Sequence, residues 1–544
     1  MVVVHVSRDA RRKRVCATLP PEAYMVTVRR SFIAVLFICL VATSSAFGSA
    51  TNIYITQSGS ASGNCTTNVQ TPTFFNTSSN WGSGASQIGP GTTVLICGTF
   101  TGTAGATEFT FQGSGVSGNP VILKFDTGAK LTAPYWSGSN GAIGCSKRNY
   151  VMIDGGTNGL ITNTANGTNL ANHQLSYGVA FTSCTYVEVK NLTINNIYIN
   201  NGSSSSATDT SGATTACIEF NGASTGSLIH NNNVSQCKTG VQVSADANAD
   251  ASNVQIYANN ISDMDWGINA GGGDSGDTIY NLQIYANNIT NWTNWQFPTG
   301  TLHQDGIILY NYATGSKTLT ASIYNNYIHG DLGVGSPTGF IYCAQNASCA
   351  MFNNLLVNTG HTIDGIIWAD THLGGDKIYN NTIIGISSDI AITLGSTPAT
   401  NVSTPMIVNN NVVLGPGCGL HDYQTLTADV SVSDRNVWRS ASGAASQMST
   451  GDSTYITYAN WLKSGFDANS TYADPKLDST YHLQTGSSAS GLGANLTSLN
   501  LSALDLDMAL NPRPSNVSVK WDAGVYNFST STVAPPTNLA AVVH

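Results

Sequence analysis

The sequence predicts an all-β fold, a solenoid in which short strands wind into stacked coils. Two nearly identical segments indicate it. Residues 253–262 read NVQIYANNIS, residues 281–290 read NLQIYANNIT, and a Gly-Ile pair follows each copy (Gly267-Ile268 and Gly306-Ile307). Composition agrees, because only 9% of the 544 residues are charged and 55 are glycine. Such a chain is short of charged helix formers and rich in residues of strands and tight turns.

Related segments recur along the chain at spacings of mostly 26 to 29 residues. They begin at Thr92, Val121, Asn149, Thr185, Ser227, Asn253, Asn281, Ala321, Ala350, Lys377 and Pro405. Most contain runs of alternating apolar residues with no helical segment between them, so we expect strands that pair in parallel from coil to coil. Asn pairs at 259-260, 287-288, 325-326, 353-354 and 380-381 predict a hydrogen-bonded ladder, with glycosylation as the alternative for those in N-x-S/T.

This pattern resembles the right-handed parallel β-helix of the pectate-lyase-like superfamily, through the repeat length, the Asn-Asn turn and the Gly-Ile strand over roughly residues 92–438. The resemblance implies about 10–11 coils, closed at both ends because an open coil exposes strand edges. We expect a leader at 1–50, an N-terminal cap at 51–91, the β-helix at 92–440, a C-terminal capping segment at 441–530 and a short linker at 531–544.

The first 50 residues have the order of a secretory signal peptide. Arg29-Arg30 precedes the apolar run 31–41, and small residues follow, so we expect cleavage near Ala46 or Ala50, with Met25 as an alternative start. A membrane anchor is the alternative, but the run is short for a span. We therefore expect a secreted, monomeric protein with no membrane span in the mature chain. The net charge of −9 argues against a nucleic-acid partner.

Because secreted proteins fold under oxidising conditions, we expect the cysteines to form disulfides between near neighbours in sequence. The expected pairs are Cys65–Cys97, Cys145–Cys184, Cys217–Cys237 and Cys343–Cys349. Cys418 is left alone, and buried free thiols are the alternative for Cys145, Cys184 and Cys418. The spacing of the cysteines shows no metal-binding motif.

Acidic residues and histidines concentrate near the Gly-apolar strands, and stacking places them relative to one another. We align Gly240, Gly267, Gly306, Gly339, Gly365 and Gly419. Asp305 and Asp364 then share one position two coils apart, roughly 10 Å, with Asp265 one coil before Asp305. The predicted catalytic residues are His303, Asp305, Asp364, Asp265 and His361.

Two mechanisms fit such a patch. Paired carboxylates at that separation suit an inverting glycosidase. Alternatively Asp263, Asp265 and Asp305 hold Ca²⁺, which neutralises a uronate before a base removes the C5 proton. The structural alternative is that each Asp caps the turn before its strand.

The segment His303-Gln-Asp305-Gly-Ile is similar to the H-x-D-G-I segments of many secreted β-helix proteins. The motifs of polygalacturonases are absent. Pectate lyases of this superfamily use a Lys or Arg base, but Lys377, the cation nearest to Asp364 in sequence, begins a strand on a different part of the coil.

Aromatic residues add the second functional signal, because their rings stack on sugar faces. The predicted substrate-binding residues are Trp266, Trp292, Trp295, Tyr310 and Trp368. Packing under the insertion is the alternative for any one of them. The sequence as a whole predicts a secreted protein that binds an extracellular polysaccharide and cleaves it, as a glycoside hydrolase or a uronate lyase. The rival hypothesis is a non-catalytic glycan-binding or adhesin-like solenoid.

Overall fold

A computed structural model describes residues 51–528, with gaps at 167–170, 173, 198–214, 246–248, 273–276, 294–302, 312–318, 334–335, 372–374, 396–404, 423–429, 441–447, 450 and 452–453. The expected leader (1–50) and the last residues of the chain (529–544) lie outside this range, as does Trp295. In the described part, no helix is long and apolar enough to cross a membrane.

The strands form three stacks of parallel strands, because each strand pairs with its equivalent one coil later. The first sheet contains Asn52–Ile55, Thr93–Ile96, Val121–Phe125, Val151–Asn163, Glu188–Asn195, Leu228–His230, Gln255–Tyr257, Thr278–Tyr285, Leu319–Tyr324, Ala347–Phe352, Lys377–Tyr379, Met406–Asn409 and Val430–Asp434. The second sheet contains Thr99–Thr101, Lys130–Ala133, Val151–Asn163, Glu188–Asn195, Asn233–Ser244, Asn260–Gly272, Asn288–Trp292, Tyr327–Gly330, Leu355–Asn358, Thr382–Ile384, Val412–Gly415, Val437–Ser440 and Thr471–Tyr472. The third sheet contains Val179–Thr182, Ala216–Asn221, Asn233–Ser244, Asn260–Gly272, His303–Asn311, Ser336–Gln345, Ile367–Thr371, Ile390–Leu394, Cys418–Asp422 and Met448–Ser449. Before it in the same stack, Phe109–Phe111 and Ile143–Ser146 pair with each other as a two-stranded sheet.

Four long strands turn a corner and so belong to two sheets. Short strands flank the stacks at Val69–Gln70, Asp250–Ser252 and Tyr455–Ile456. Within the described residues, helical structure is limited to short segments at Pro72–Asn76, Ser78–Asn80, Tyr458–Trp461, Leu462–Ser464 and Thr497–Leu499.

The two nearly identical segments are successive coils, as predicted. Ile256 pairs with Ile284 in the first sheet, and Asn260 pairs with Asn288 in the second. The parallel β-helix is therefore confirmed. Its first sheet has thirteen described strands rather than ten or eleven, because Asn52–Ile55 and Val430–Asp434 also join it.

The predicted Asn ladder is confirmed along one corner of the coil. It consists of Asn232, Asn259, Asn287, Asn326, Asn354, Asn381, Asn411 and Asn436, each hydrogen-bonded to the next. The ladder residue is the first Asn in the pair 259-260 but the second in 325-326. In both cases the residue just before it, Ala258 or Asn325, adopts the left-handed conformation of a tight turn.

The four expected disulfides are all present, and Cys418 is a buried free thiol. Burial raises the pKa of the Cys418 thiol to about 12, so it is protonated and unreactive at neutral pH. Four disulfides indicate that the chain folds in an oxidising compartment.

The C-terminal segment does more than close the coil. Trp461 packs into the core. Further along, Leu504 and Trp521 pack on Phe352 and Tyr379 of the first sheet. Other tail residues, Met508, Val525 and Tyr526, pack on Leu355 and Val357 of the second sheet. The described tail therefore lies along the outer faces of these two sheets.

Candidate functional site

The outer face of the third sheet carries an aromatic cluster that is separate from the core. Ile307, Ile341 and Ile367 pair in one inward row and are fully buried. Because side chains alternate along a strand, the next row, which includes Tyr342 and Trp368, faces outward. The cluster consists of Ile308, Tyr342 and Ala344, with Trp266, Tyr310 and Trp368 partly buried against them.

Asp370 is the acidic residue bonded to this cluster. It lies two residues after Trp368 on the same strand, and its Oδ2 accepts a hydrogen bond of 3.1 Å from the Tyr342 hydroxyl. Its buried Oδ1 has no hydrogen-bond partner among the described residues. Burial raises the pKa of Asp370 to about 7, an effect that the Tyr342 hydrogen bond partly opposes. A carboxyl group with such a pKa can donate or accept a proton near neutral pH.

Asp305, expected to be the central catalytic carboxyl, is instead fully buried. Its Oδ1 accepts a hydrogen bond of 3.1 Å from the Gly339 N–H, and its Oδ2 has no hydrogen-bond partner among the described residues. Desolvation raises the pKa of Asp305 well above its usual range. Because it is fully buried, this carboxyl group is not accessible to a bound substrate.

His303 lies close to Asp305 but does not form an ion pair with it at neutral pH. Its Nδ1 is 3.9 Å from Asp305 Oδ2, which is too long for a hydrogen bond. Desolvation lowers the pKa of His303, so both groups favour their neutral forms. The His303 side chain remains 43% exposed and is accessible from outside.

The alignment that was expected to give Asp305 and Asp364 the same position on their coils is wrong by one residue. A register shift between Gln304 and Asp305 pairs Asp305 with Gly339. Continuing the Ile341–Ile367 pairing back along the two strands brings Gly339 level with Gly365. Asp364 therefore lies one position earlier.

Asp364 and His361 do not form a pair either. Asp364 is exposed, and burial of part of its carboxyl raises its pKa while His421 opposes the rise. His361 bonds elsewhere, with its Nδ1 2.9 Å from Asp331 Oδ2. Burial raises the pKa of Asp331, but the hydrogen bonds from the His361 and Gly333 N–H groups and from the His361 ring together outweigh it and lower the pKa.

Lys238 and Asp265 form a buried polar pair at the corner between the second and third sheets. The flanking pairs Cys237–Met264 and Thr239–Trp266 place them side by side on successive coils. Burial lowers the pKa of Lys238 to about 8, and the charge of Asp265 opposes this. The Lys238 ammonium lies 5.2 Å from the centre of the Trp266 ring. The ring in turn is fixed by a 2.7 Å bond from its Nε1 to the His303 carbonyl.

The predicted sugar-stacking residues separate into two groups. Trp266, Tyr310 and Trp368 meet at the outer face as expected. Trp292 is buried, because it packs against Phe340 with ring centres 5.4 Å apart and donates a 2.9 Å hydrogen bond to the Asp305 carbonyl. Assigning Trp292 to sugar stacking was therefore wrong, since its ring is buried and its Nε1–H is bonded to the backbone.

The expected calcium ligands do not converge. Asp305 is fully buried and accepts the Gly339 N–H, whereas Asp265 lies on the level of Gln304 and interacts with Lys238. Asp263 sits in a left-handed corner, where burial raises its pKa. Among the described residues, these three carboxylates do not form a set of converging ligands. We therefore derive no step through calcium.

Sequence reasoning missed Asp370, Tyr342 and Lys238. Tyr342 follows Gly339 by three residues and Asp370 follows Gly365 by five, whereas acidic residues were compared only at positions before the glycines. Period-two alternation from Trp368 would have placed Asp370 on the same face. Lys238 is in the strand before the first of the two matching coils, at the position equivalent to Asp265.

Comparison with solved structures finds similar chains, including the following three. The chain is similar to pectate lyase Pel9A at 12% identity, over 88% of this chain and 97% of that one, with a TM-score of 0.45. It is similar to the PL6 family alginate lyase AlyGC at 11% identity over 80% and 55%, with a TM-score of 0.42. It is also similar to XylC in complex with xylose at 8% identity over 88% and 98%, with a TM-score of 0.44.

The likeness is one of fold. No protein-family model matches the sequence, and no curated protein matches it either. The chemistry therefore has to be argued from the residues of this chain.

Proposed function

We propose that this protein is secreted, that the outer face of its third sheet binds a polysaccharide, and that Asp370 transfers a proton when the polysaccharide is cleaved. One observation carries the proposal: a carboxyl group with a pKa of about 7 lies within the only cluster of partly exposed aromatic rings described on this face. Perturbed carboxyl groups beside binding surfaces are typical of catalytic acids and bases.

The aromatic cluster suits a glycan that runs across the coils. Trp266, Tyr310, Tyr342 and Trp368 come from four successive coils, and each coil adds about 4.8 Å. The rings are also offset from one another along their strands, because Tyr310 pairs with Ala344 and Trp266 pairs with Asp305, so together they cover a patch wide enough for several sugars. Partly exposed rings provide the apolar surface that such sugars stack upon.

Asp370 supplies the proton transfer in either of two reactions. Protonated, it donates to a glycosidic oxygen, as in a hydrolase. Ionised, it removes the proton beside a uronate carboxyl group, as in a lyase. Both forms are populated near pH 7, and the Tyr342 hydroxyl fixes the carboxyl group in place in each.

A non-catalytic glycan-binding protein is the second candidate, favoured by a specific observation. The pair of carboxyl groups that a glycosidase needs is not formed by Asp305 and Asp364, because the first is buried and the second is displaced by one residue. In that case Asp370 would orient the glycan by hydrogen bonding alone.

A panel of neutral and uronate-containing polysaccharides tests the proposal. Cleavage is read as new reducing ends and as ultraviolet absorption of unsaturated uronates. We expect Asp370→Asn to lower cleavage by about 10²- to 10⁴-fold while binding persists. The matched control is Asp364→Asn, which changes an exposed carboxyl group on the same coil. Full cleavage by Asp370→Asn overturns the assignment, and binding without cleavage by the wild type establishes the second candidate.

A further inference from the structure

A buried carboxylate, that of Asp376, lies against one of the four disulfides. It is on the same coil as Asp370 but next to the first sheet instead of the third. Asp376 Oδ1 accepts a 2.7 Å hydrogen bond from the Cys349 N–H and lies 3.9 Å from Cys343 Sγ. All three residues are buried. One ligand atom from each lies within 4.8 Å of the other two, and no other set of three such side chains is found in the described ranges.

The coil geometry explains how this set comes together. Cys343 follows Tyr342 in the third-sheet strand Ser336–Gln345, and Cys349 lies in the next strand of the chain, Ala347–Phe352 of the first sheet. Asp376 follows one coil later, beside Cys349, because Ala350 pairs with Lys377. The backbone pairing of neighbouring coils therefore holds Asp376 beside Cys349, independently of the disulfide itself.

A cavity of about 190 Å³ opens beside the set. Cys349, Ser348, Gly375 and Lys377 contribute to its wall. Gly375 and Lys377 are the residues on either side of Asp376. A small ion or a reductant therefore has a route to Cys349 from solvent, even though both cysteines are buried.

We propose that reduction of the Cys343–Cys349 disulfide converts this set into a zinc site with two thiolates and one carboxylate as ligands. A dithiol or phosphine reductant supplies two electrons and is itself oxidised, the S–S bond breaks, and two thiols form. Binding of Zn²⁺ then releases the two thiol protons to solvent. Two thiolates and a carboxylate leave the fourth tetrahedral position for water, as in zinc sites that remain open.

The ligand types and their spacing support zinc over calcium. Thiolates are soft ligands that zinc prefers, and calcium takes oxygen ligands in larger numbers. Ligand atoms around tetrahedral zinc lie about 3.5–3.8 Å apart. Once the disulfide opens, the two sulfurs therefore have to move apart from bonding distance by roughly 1.7 Å. The Asp376 oxygen has to approach them by about 1 Å at most. Rotation of the two cysteine side chains supplies such a movement once the disulfide opens.

The test uses the full folded chain, reduced under anaerobic conditions and titrated with Co²⁺ and then Zn²⁺. We expect one Co²⁺ per chain, with thiolate-to-cobalt charge-transfer absorption that Zn²⁺ removes by displacement. The oxidised protein should show neither. Circular dichroism before and after reduction reports whether the β-helix persists.

Three variants separate this site from the other reduced disulfides. Cys343→Ala with Cys349→Ala should abolish the cobalt spectrum. Asp376→Asn keeps an oxygen to accept the Cys349 N–H and should lower zinc affinity by about tenfold or more. Asp277→Asn changes another buried aspartate that precedes a first-sheet strand, outside the set, and should leave the affinity unchanged.

Three results would overturn the proposal. They are a reduced wild type that binds no metal, a cobalt spectrum that persists in the double cysteine variant, and equal zinc affinity in Asp376→Asn and the wild type. A protein that unfolds on reduction and is not restored by Zn²⁺ also contradicts it. Glycan cleavage is not part of the readout, so failure here leaves the proposed function unaffected.

Discussion

The hydroxyl of Tyr342 donates a 3.1 Å hydrogen bond to Oδ2 of Asp370, one coil further along the helix. The bond joins an aromatic ring on the proposed binding face to the carboxyl group that we assign to proton transfer. Burial raises the pKa of this carboxyl group, and the hydrogen bond restrains the rise by stabilising the ionised form.

Replacing Tyr342 by Phe should therefore raise the pKa of Asp370 above about 7. A hydrogen bond to a charged group is worth roughly 1.5 kcal/mol, which corresponds to about one pKa unit. Titration of the carboxyl carbon by NMR, in protein labelled at aspartate, measures the shift. Tyr310→Phe is the control, because this ring belongs to the same cluster. An unchanged pKa in Tyr342→Phe would show that the bond does not form in solution.

Asp305→Asn should stabilise the protein at neutral pH. The folded-state pKa of Asp305 is raised, so the folded chain binds a proton that the unfolded chain releases above about pH 3.8. The stability that Asp305 contributes is thus present at acid pH and is lost as pH rises from that value through the folded-state pKa. Asparagine stays neutral throughout and still accepts the Gly339 N–H.

The measurement for Asp305→Asn is the melting temperature from pH 4 to pH 8. We expect a difference near zero at pH 4 that grows to several degrees above the wild type at pH 8. Asp364→Asn, at an exposed position, serves as the control. A variant that is less stable than the wild type at pH 8 would mean that the ionised carboxylate has a stabilising partner.

The sequence predicted the parts of this protein that repeat, and for a physical reason. Every coil has to bury the same inward positions, so apolar residues such as Ile256 and Ile284 recur at matching places. Cysteines that are close in sequence, such as Cys343 and Cys349, meet across one turn. The site was predicted only in part, because it depends on departures from the repeat. A register shift after Gln304 moves Asp305 one position out of line with Asp364, and the Asp305 side chain is buried. Neither feature can be read from the spacing of the repeats.

Asn326→Ala should be strongly destabilising, because the side-chain amide of Asn326 donates two hydrogen bonds and accepts two. The Asn326 side chain donates to the Ile284 carbonyl at 2.9 Å and to Asn354 Oδ1 at 3.0 Å, and it accepts from the Asn287 amide group and N–H. Its loss leaves several buried polar groups unpaired, which costs about 2–4 kcal/mol.

Denaturant unfolding of Asn326→Ala measures this effect. The control is Asn260→Ala, at an exposed position where the side chain accepts one hydrogen bond of 3.3 Å from Asn288. We expect a change below about 0.5 kcal/mol there. If the two variants are equally stable, the ladder contributes orientation to the coil but little free energy.

Trp368→Ala tests the binding face separately from the chemistry. Its ring is partly buried against Tyr342, with ring centres 5.3 Å apart, and is the large aromatic surface nearest to Asp370 in sequence. Loss of one stacking ring should weaken binding of the polysaccharide by about 1–1.5 kcal/mol, or roughly tenfold. Calorimetry with the Asp370→Asn protein as background measures affinity without cleavage. Tyr280→Ala removes a ring that is 43% exposed on the first sheet, so its affinity should match that background. Equal losses in both variants would place the glycan elsewhere on the β-helix.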